Sequence, residues 1–474
     1  MKTQIKFGTD GWRAVIADEF TFENLERVAQ ASANYWKKNP IEGTKKQVVI
    51  GFDRRFLSDE FAAVSAEILT ANGFKVILSD GPTLTQAVSF AVKQSKSVGG
   101  IMITASHNPA IFNGFKIKAH YGGSAEPAIC KGIEAQIDKS KVKKIHLTEA
   151  KKQKLLQIKD LKPMMYKAQK KLVDFELISK SGVRFAHDPL FGVGAGCFDD
   201  ILEGTSCKVT TLNSEHNPIF GGINPEPIKQ NYGPTAAYLK KNPHDVCLVT
   251  DGDADRVGGM DGRGEYITTH QIISMLIHHM FENRGQTGRV VKALTTTSMV
   301  DKMCDDYGLE LLETGVGFKY VCTEMMKGDV LLGAEESGGI GFLGHIPERD
   351  GILAGLMLLE MLAMEKKSIK QILARLTKKY GPHHYDRIDG HFPLEKREEL
   401  MEFSAANPPA KLAGSPIEEV KTFDGVKMVA KNGAWLMLRG SGTEPVLRIY
   451  AEAPSQEEVS KILKAGLALT KRVN

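Results

Sequence analysis

The sequence predicts an α/β protein built from three successive α/β units and a smaller α+β domain. Three observations carry this reading. The chain has 474 residues, too many for one hydrophobic core and suited to three or four domains of ordinary size. Apolar runs of strand length alternate with helix-length segments, and the alternation runs through three rounds. Beyond residue 378 the pattern changes to short strands separated by turn dipeptides such as Asp424-Gly425 and Asn432-Gly433.

In the first unit, Gln47–Asp53 reads as a buried strand. Ser58 is placed to cap a helix reaching Asn72, with Asp59 and Glu60 in its first turn and Gly73 beyond its end. Lys75–Ser79, Gly99–Thr104 and Gly114–Ala119 follow as strands of a mixed or parallel sheet. The lysine-rich stretch 138–154 reads as a linker and sets the first domain at 1–150. The second, 151–256, has strands at Val183–His187, Lys208–Leu212 and Asp245–Thr250, with helices Gly196–Glu203 and Thr235–Lys241 between them. The third, 257–378, runs through helix His270–Glu282, strand Arg289–Thr295, helix Met299–Tyr307, strands Leu309–Glu313 and Val330–Gly333, and helix Gly351–Lys366. The last, 379–474, has strands Ile388–Phe392, Val420–Phe423, Val426–Ala430, Ala434–Leu438 and Val446–Ala451. Helices Leu394–Ala405 and Gln456–Leu467 accompany them, and the sheet is expected to be antiparallel.

The composition is that of a soluble globular protein, 42% hydrophobic and 25% charged, with a net charge of +5. That charge is small for the length; it does not demand nucleic acid and suits small anionic substrates. No apolar signal core stands at the N-terminus, and the most apolar long helix, Gly351–Met364, is too short to span a bilayer. The six cysteines form no CxxC pair and read as buried free thiols. The chain is therefore expected to be cytoplasmic, with no membrane or nucleic-acid partner.

Four polar loops carry chemistry. Thr104-Ala105-Ser106-His107-Asn108-Pro109 follows the apolar run Gly99–Ile103, which would present a serine rigidly at a sheet edge. Asp251-Gly252-Asp253-Ala254-Asp255-Arg256 ends a strand with three carboxylates at alternate positions, a pattern suited to Mg²⁺ or another hard cation. An Asp-capped turn and a phosphatase with Asp251 as nucleophile are the alternatives. An EF-hand is disfavoured by Arg256 at the sixth position and Gly262 at the twelfth. Arg439-Gly440-Ser441-Gly442-Thr443-Glu444-Pro445 joins a cationic fork, hydroxyls and flexible backbone N–H groups into an anion nest, with a plain Gly-Ser turn as the alternative. Glu335 and Ser337 follow an apolar strand and share one face if extended, where they could hold adjacent sugar hydroxyls, with a helix or turn cap as the alternative. Lys116, ten residues past Ser106, could return to the serine through a hairpin-like excursion, with a solvated lysine as the alternative. His107 is a candidate polar contact, with an ordinary turn histidine as the alternative, and Arg13 follows a Gly-rich turn, where on its own it reads as a surface arginine. The run Gly192–Gly196 has the wrong spacing for a dinucleotide fingerprint and reads as a close helix–strand turn.

Five segments, Phe7–Arg13, Thr104–Pro109, Asp251–Arg256, Gly333–Gly338 and Arg439–Pro445, resemble the α-D-phosphohexomutases over essentially the whole chain and in the same order. The resemblance implies a four-domain phosphohexomutase-like architecture around a central cleft. It implies that Ser106 carries a phosphoryl group and that Asp251, Asp253 and Asp255 hold Mg²⁺, with the phosphoserine as a further ligand. Lys116 and Arg256 would lie beside the transferring group, with Lys116 a candidate proton carrier. Glu335 and Ser337 would read sugar hydroxyls, and Arg439, Ser441, Gly442 and Thr443 would bind the phosphate that is not reacting. Arg13 and Lys319 would add positive charge. A hexose 1,6-bisphosphate activator, a sugar phosphate substrate and a monomer or dimer are expected with it. One departure stands out. Many bacterial members read GExSGH, whereas this chain has Gly339 at the histidine position, which leans toward the glucose-preferring mutases.

Overall fold

A computed structural model describes residues 4–8, 10–440 and 445–473. Four sheets follow one another along the chain. The first contains β1 (Trp12–Val15), β2 (Lys45–Phe52), β3 (Lys75–Ser79), β4 (Ser97–Ile103), β5 (Phe112–Ala119) and β6 (Leu156–Lys159), in the order β1-β5-β4-β2-β3-β6. The second contains β7 (Arg184–Asp188), β8 (Lys208–Thr211), β9 (Val246–Thr250), β10 (Val257–Asp261) and β11 (Tyr266–Ile267), ordered β11-β10-β9-β7-β8. The third has β12 (Arg289–Ala293), β13 (Leu311–Thr314), β14 (Val330–Ala334) and β15 (Ile340–Phe342), ordered β13-β12-β14-β15. The fourth has β16 (His384–His391), β17 (Lys411–Leu412), β18 (Ser415–Lys421), β19 (Val426–Ala430), β20 (Trp435–Gly440) and β21 (Val446–Ala453), ordered β16-β21-β20-β19-β18-β17.

The first three sheets share one plan. Parallel strands form the centre, and the crossover helices cover them. Each parallel set then gains an antiparallel neighbour through a short connection: β4 turns into β5, β9 into β10, and β14 into β15. The fourth sheet is antiparallel throughout its described pairings. Central strands such as β4 and β9 are buried along their whole length, which is why they read as unbroken apolar runs. Apolar side chains of the second and third units merge into one core with the helix Gly351–Glu365 and with the first unit's helix Thr85–Ser95, Val49 and Met102, while a second cluster of the first unit and the fourth sheet form cores of their own.

Several sequence expectations shift. The stretch 138–154 holds the helix Leu147–Lys152 and leads back into the first sheet, where β6 pairs with β3. The expected boundaries at 150 and 256 therefore fall inside sheets, because β6, β10 and β11 complete the sheets that precede those boundaries. Ser58 does not cap its helix. Leu57 stands at the cap position with φ 60°, and the Ser58 hydroxyl donates instead to Asp53 at 2.8 Å. The Gly192–Gly196 turn packs on the aspartate loop: a Cβ on Gly192 would lie 2.7 Å from the Gly252 carbonyl oxygen. The cysteines are free thiols. Among the described residues, no helix is long and apolar enough to cross a membrane.

Candidate active site

The three antiparallel turn-backs deliver the three chemical loops. The β4–β5 connection carries Ser106, the β9–β10 connection carries the aspartates, and the β14–β15 connection carries Glu335 and Ser337. The loops meet. Arg256 and Gly339 form an isolated antiparallel bridge, and the Val257 N–H donates to the Gly338 carbonyl at 3.0 Å.

Ser106 is fully buried with φ 54°, in the left-handed region that a side-chain-bearing residue rarely adopts. Strain of this kind persists where surrounding structure holds it in place. Its backbone N–H donates to Thr104 Oγ1 at 2.8 Å, and its hydroxyl donates to Asp251 Oδ2 at 2.9 Å. The aspartate loop closes over the same segment, since a Cβ on Gly252 would stand 2.4 Å from the Ser106 carbonyl oxygen. Glycine is required there by close approach, not by its φ.

Asp251, Asp253 and Asp255 are buried, and each offers a carboxylate oxygen within 4.8 Å of the others. Burial, then the neighbouring Asp253 and Asp255 charges, push the Asp251 carboxyl far above the usual range. Burial also raises Asp255, against the pull of Arg349. For Asp253 burial is outweighed by Lys116 and Thr85, which hold it well below the usual range. Three buried carboxylates therefore do not all ionise in comfort without added positive charge. Two of their oxygens, Asp253 Oδ1 and Asp255 Oδ1, are buried without a hydrogen-bond partner, as is Arg256 Nε. Orphaned acceptors of this kind fit a hard divalent cation. The orphaned guanidinium donor beside them fits an anion.

Lys116 is fully buried among carboxylates, 2.8 Å from Asp10, 2.8 Å from Asp253 and 3.5 Å from Asp255. Burial works against its charge, but Asp10, Asp253 and Asp255 win and hold it above the usual lysine range. The β4–β5 antiparallel pairing anticipated for Lys116 is present, with Lys116 opposite Met102; the amine is taken up by the carboxylates. His107 Nδ1 lies 3.5 Å from the Ser106 hydroxyl. Burial, then Arg256 and Arg13, lower its pKa and keep the ring neutral. Arg13, on β1, donates to Asn108 Oδ1 at 2.8 Å and pairs with Asp10 at 3.4 Å.

Arg349 is a centre that sequence reasoning missed. It lies 2.7 Å from Asp255, 2.9 Å from Asp10 and 3.1 Å from Glu335, so it ties the aspartate loop and the Glu335 loop to the N-terminal segment. Burial opposes its charge, and Asp255, Asp10, Glu335 and Glu348 more than offset it. Ser337 donates to the same Glu335 oxygen at 2.8 Å. Arg349 also explains the departure at Gly339: a Cβ there would fall 2.3 Å from Arg349 Cδ and 2.9 Å from Glu335 Oε1. Asp10, Lys118, Glu348, Asp53 and Arg55 were missed too. Lys118 and Glu348 form a buried ion pair at 2.6 Å behind Arg349.

Two predicted residues lie outside this network. Lys319, in the first turn of the helix Phe318–Met326, sits over the Tyr320 ring at 5.1 Å. Arg439, at the end of β20, pairs with Asp424 at 3.1 Å, and Asp424 also accepts the Val316 N–H at 2.6 Å. A cavity of about 250 Å³ is lined by Arg397, Asp424, Gly425 and Arg439. Ser441, Gly442 and Thr443 lie outside the described residues.

Comparison with known proteins follows the same division of the chain. Residues 4–144, 165–264 and 268–380 match the alpha/beta/alpha domains I, II and III of phosphoglucomutase/phosphomannomutase, and 394–467 match its C-terminal domain. A crystal structure from Thermus thermophilus, assigned as a phosphomannomutase, is 36% identical with TM-score 0.87, covering 99% of this chain and 100% of that one. A phosphoglucomutase of Komagataeibacter xylinus is 28% identical over 95% of this chain and 87% of its own length. A phosphoglucosamine/phosphogalactosamine mutase of Sulfurisphaera tokodaii is 27% identical over 96% and 97%. With all four domains matched in order and a full-length likeness at 36% identity, the chain belongs to the phosphoglucomutase/phosphomannomutase family.

Proposed function

We propose that the protein is an intramolecular phosphotransferase that interconverts hexose 1-phosphate and hexose 6-phosphate, with glucose as the preferred sugar. The reading rests on one observation above the others: a buried serine hydroxyl 2.9 Å from a carboxylate triad that retains unpartnered oxygens, beside an unpartnered arginine donor. In the resting enzyme Ser106 carries the phosphoryl group. A sugar hydroxyl oxygen attacks phosphorus and gives up its proton, the bond to Ser106 Oγ breaks and that oxygen takes up a proton, so that a hexose 1,6-bisphosphate and a free Ser106 hydroxyl form. The bisphosphate turns over, and Ser106 Oγ takes the other phosphoryl group in the reverse of the first step.

Such transfers depend on positioning and charge neutralisation. Asp251, Asp253 and Asp255 would hold Mg²⁺, which when bound neutralises charge on the transferring group. Lys116 and Arg256 supply fixed positive charge beside it. Held 2.8 Å from Asp10 and Asp253 and 3.5 Å from Asp255, Lys116 serves as a fixed cation beside the transferring group. Neutral His107 stands where its Nδ1 can exchange a proton with Ser106 Oγ. Glu335 and Ser337 pair with sugar hydroxyls. Arg439, with Ser441, Gly442 and Thr443, grips the idle phosphate, and Lys319 and Arg13 add positive charge.

Glucose is favoured by the Glu335–Gly339 loop, while the relatives are named for different sugars, so mannose and glucosamine phosphates are the nearest rivals, with ribose phosphate the phosphopentomutase reading. Comparing kcat/KM for the glucose, mannose, glucosamine and ribose 1-phosphates with Mg²⁺ and activating bisphosphate decides among them. A buried unpaired hydroxyl contact costs about 1–3 kcal/mol, so about a tenfold preference or more is expected for glucose. Release of inorganic phosphate without sugar interconversion would favour an aspartyl-phosphate phosphatase. Tight binding with neither reaction would favour a sugar-phosphate binding protein.

A further inference from the structure

We propose that Arg55 is a positioning residue for phosphoryl transfer, acting by holding the Ser106 loop in its strained geometry; the proposal rests on Ser106 being the phosphoryl carrier. The loop between β4 and β5 leaves the sheet ladder, so its carbonyl groups need partners elsewhere. One guanidinium takes up four carbonyls of this segment. Arg55 Nη2 donates to the Ser106 and Asn108 carbonyls at 2.6 and 2.7 Å. Its Nη1 donates to the Pro109 and Phe112 carbonyls at 2.8 and 3.0 Å. Its Nε donates to Asp53 Oδ2 at 3.2 Å. All five donors of the side chain are engaged, and the side chain is fully buried.

Asp53 completes the frame from the other side. It accepts from the Arg55 backbone N–H at 3.0 Å, from Ser58 Oγ at 2.8 Å and from Thr104 Oγ1 at 2.6 Å. Thr104 Oγ1 in turn accepts the Ser106 N–H. Both backbone polar groups of Ser106 are thus tied to the Asp53–Arg55 pair, the carbonyl directly and the N–H through Thr104. The second domain seals the arrangement, with the Phe220 ring 4.9 Å from the guanidinium and Arg54 donating to the Ser214 carbonyl at 2.8 Å. Arg55 does not touch the hydroxyl that reacts. It fixes the backbone that aims that hydroxyl at Asp251. A lysine ammonium has three donors and no planar fork, so it reproduces the charge without the five-bond geometry.

The test is Arg55→Lys in the full-length protein, with circular dichroism to confirm the fold. kcat should fall about 10- to 100-fold, the range for small misplacement of a reacting group, while KM for the sugar phosphate stays within about twofold. Ser106 phosphate should also be lost to water faster relative to transfer, measured by mass spectrometry of the phosphorylated protein without substrate. Wild-type kcat and phosphate partition in folded Arg55→Lys overturn the proposal, as does a loss of activity that only tracks the folded fraction. If that variant does not fold, Thr104→Val cuts the second tie, and the same pair of outcomes decides. A wild-type protein that never carries phosphate on Ser106 overturns the mutase reading itself; a phosphorylated wild type with an unaltered Arg55→Lys variant overturns only the role of Arg55.

Discussion

At the scale of single residues, the decisive groups are those whose burial makes sense only with a partner. Ser106→Ala should fold normally and lose mutase turnover by several orders of magnitude, since the covalent relay is gone; steady-state rates with mass spectrometry of Ser106 check this, and near-normal turnover would refute it. Asp253→Asn removes one buried charge at nearly constant shape and should weaken Mg²⁺ binding and lower the rate together, read by metal titration and kinetics. Gly339→His, which installs the histidine of the GExSGH pattern, should damage this protein. The space is filled by Arg349, and overpacking of this kind costs about 1–3 kcal/mol, visible as a lower Tm and reduced kcat. The serine, the aspartates and Glu335 were legible because strand-end polar clusters break an apolar pattern. Arg349 was not, because an arginine in Ile346-Pro347-Glu348-Arg349-Asp350 looks like any surface turn. Its role depends on Asp10, which lies 339 residues away along the chain. Arg55 was hidden for the same reason.

At the scale of elements, one design recurs: a parallel strand ends in a chemical loop and returns as an antiparallel neighbour. The strands were legible from their apolar runs, and their predicted ends mostly lie within a few residues of the observed ones. The helix Phe22–Lys38 was passed over although Thr21 caps it, because it is built from alanine, serine and asparagine as much as from large apolar side chains. Side-chain hydrogen bonding misled the reading of Ser58, whose hydroxyl serves Asp53 instead of its own helix. The β20–β21 connection is where the distal phosphate contact is proposed. Arg439→Ala there should mainly raise KM, by an amount on the order of 1.5–3 kcal/mol, and should let more labelled bisphosphate escape per turnover. Partitioning equal to wild type would remove Arg439 from that role.

At the scale of the whole molecule, the third and fourth domains are joined by a buried charge cluster. Glu313 pairs with Lys427 at 3.0 Å and Lys292 at 3.5 Å, and with Lys421, while Trp435 packs beside Leu294 in the same interface. Burial alone would raise the Glu313 pKa, but Lys292, Lys427 and Lys421 outweigh it and bring it from 4.5 to about 2. The folded pKa is the lower one, so this contribution is present above about pH 4.5 and is lost as pH falls toward 2. Tryptophan fluorescence across pH 5 to 2.5 should report loosening in the wild type, while Glu313→Gln should lack that component; parallel curves would count against it. The long reach of the central network has a consequence for biogenesis. Each of the first three sheets is assembled from a contiguous stretch of chain, so each can fold as synthesis proceeds. Arg349, however, emerges after all three aspartates and long after Asp10 and Lys116. A nascent chain therefore holds its buried carboxylates short of one cation until the third domain closes. The candidate site is completed late, and fragments ending before Arg349 are expected to be inactive and to rely on chaperones or bound cation to stay folded.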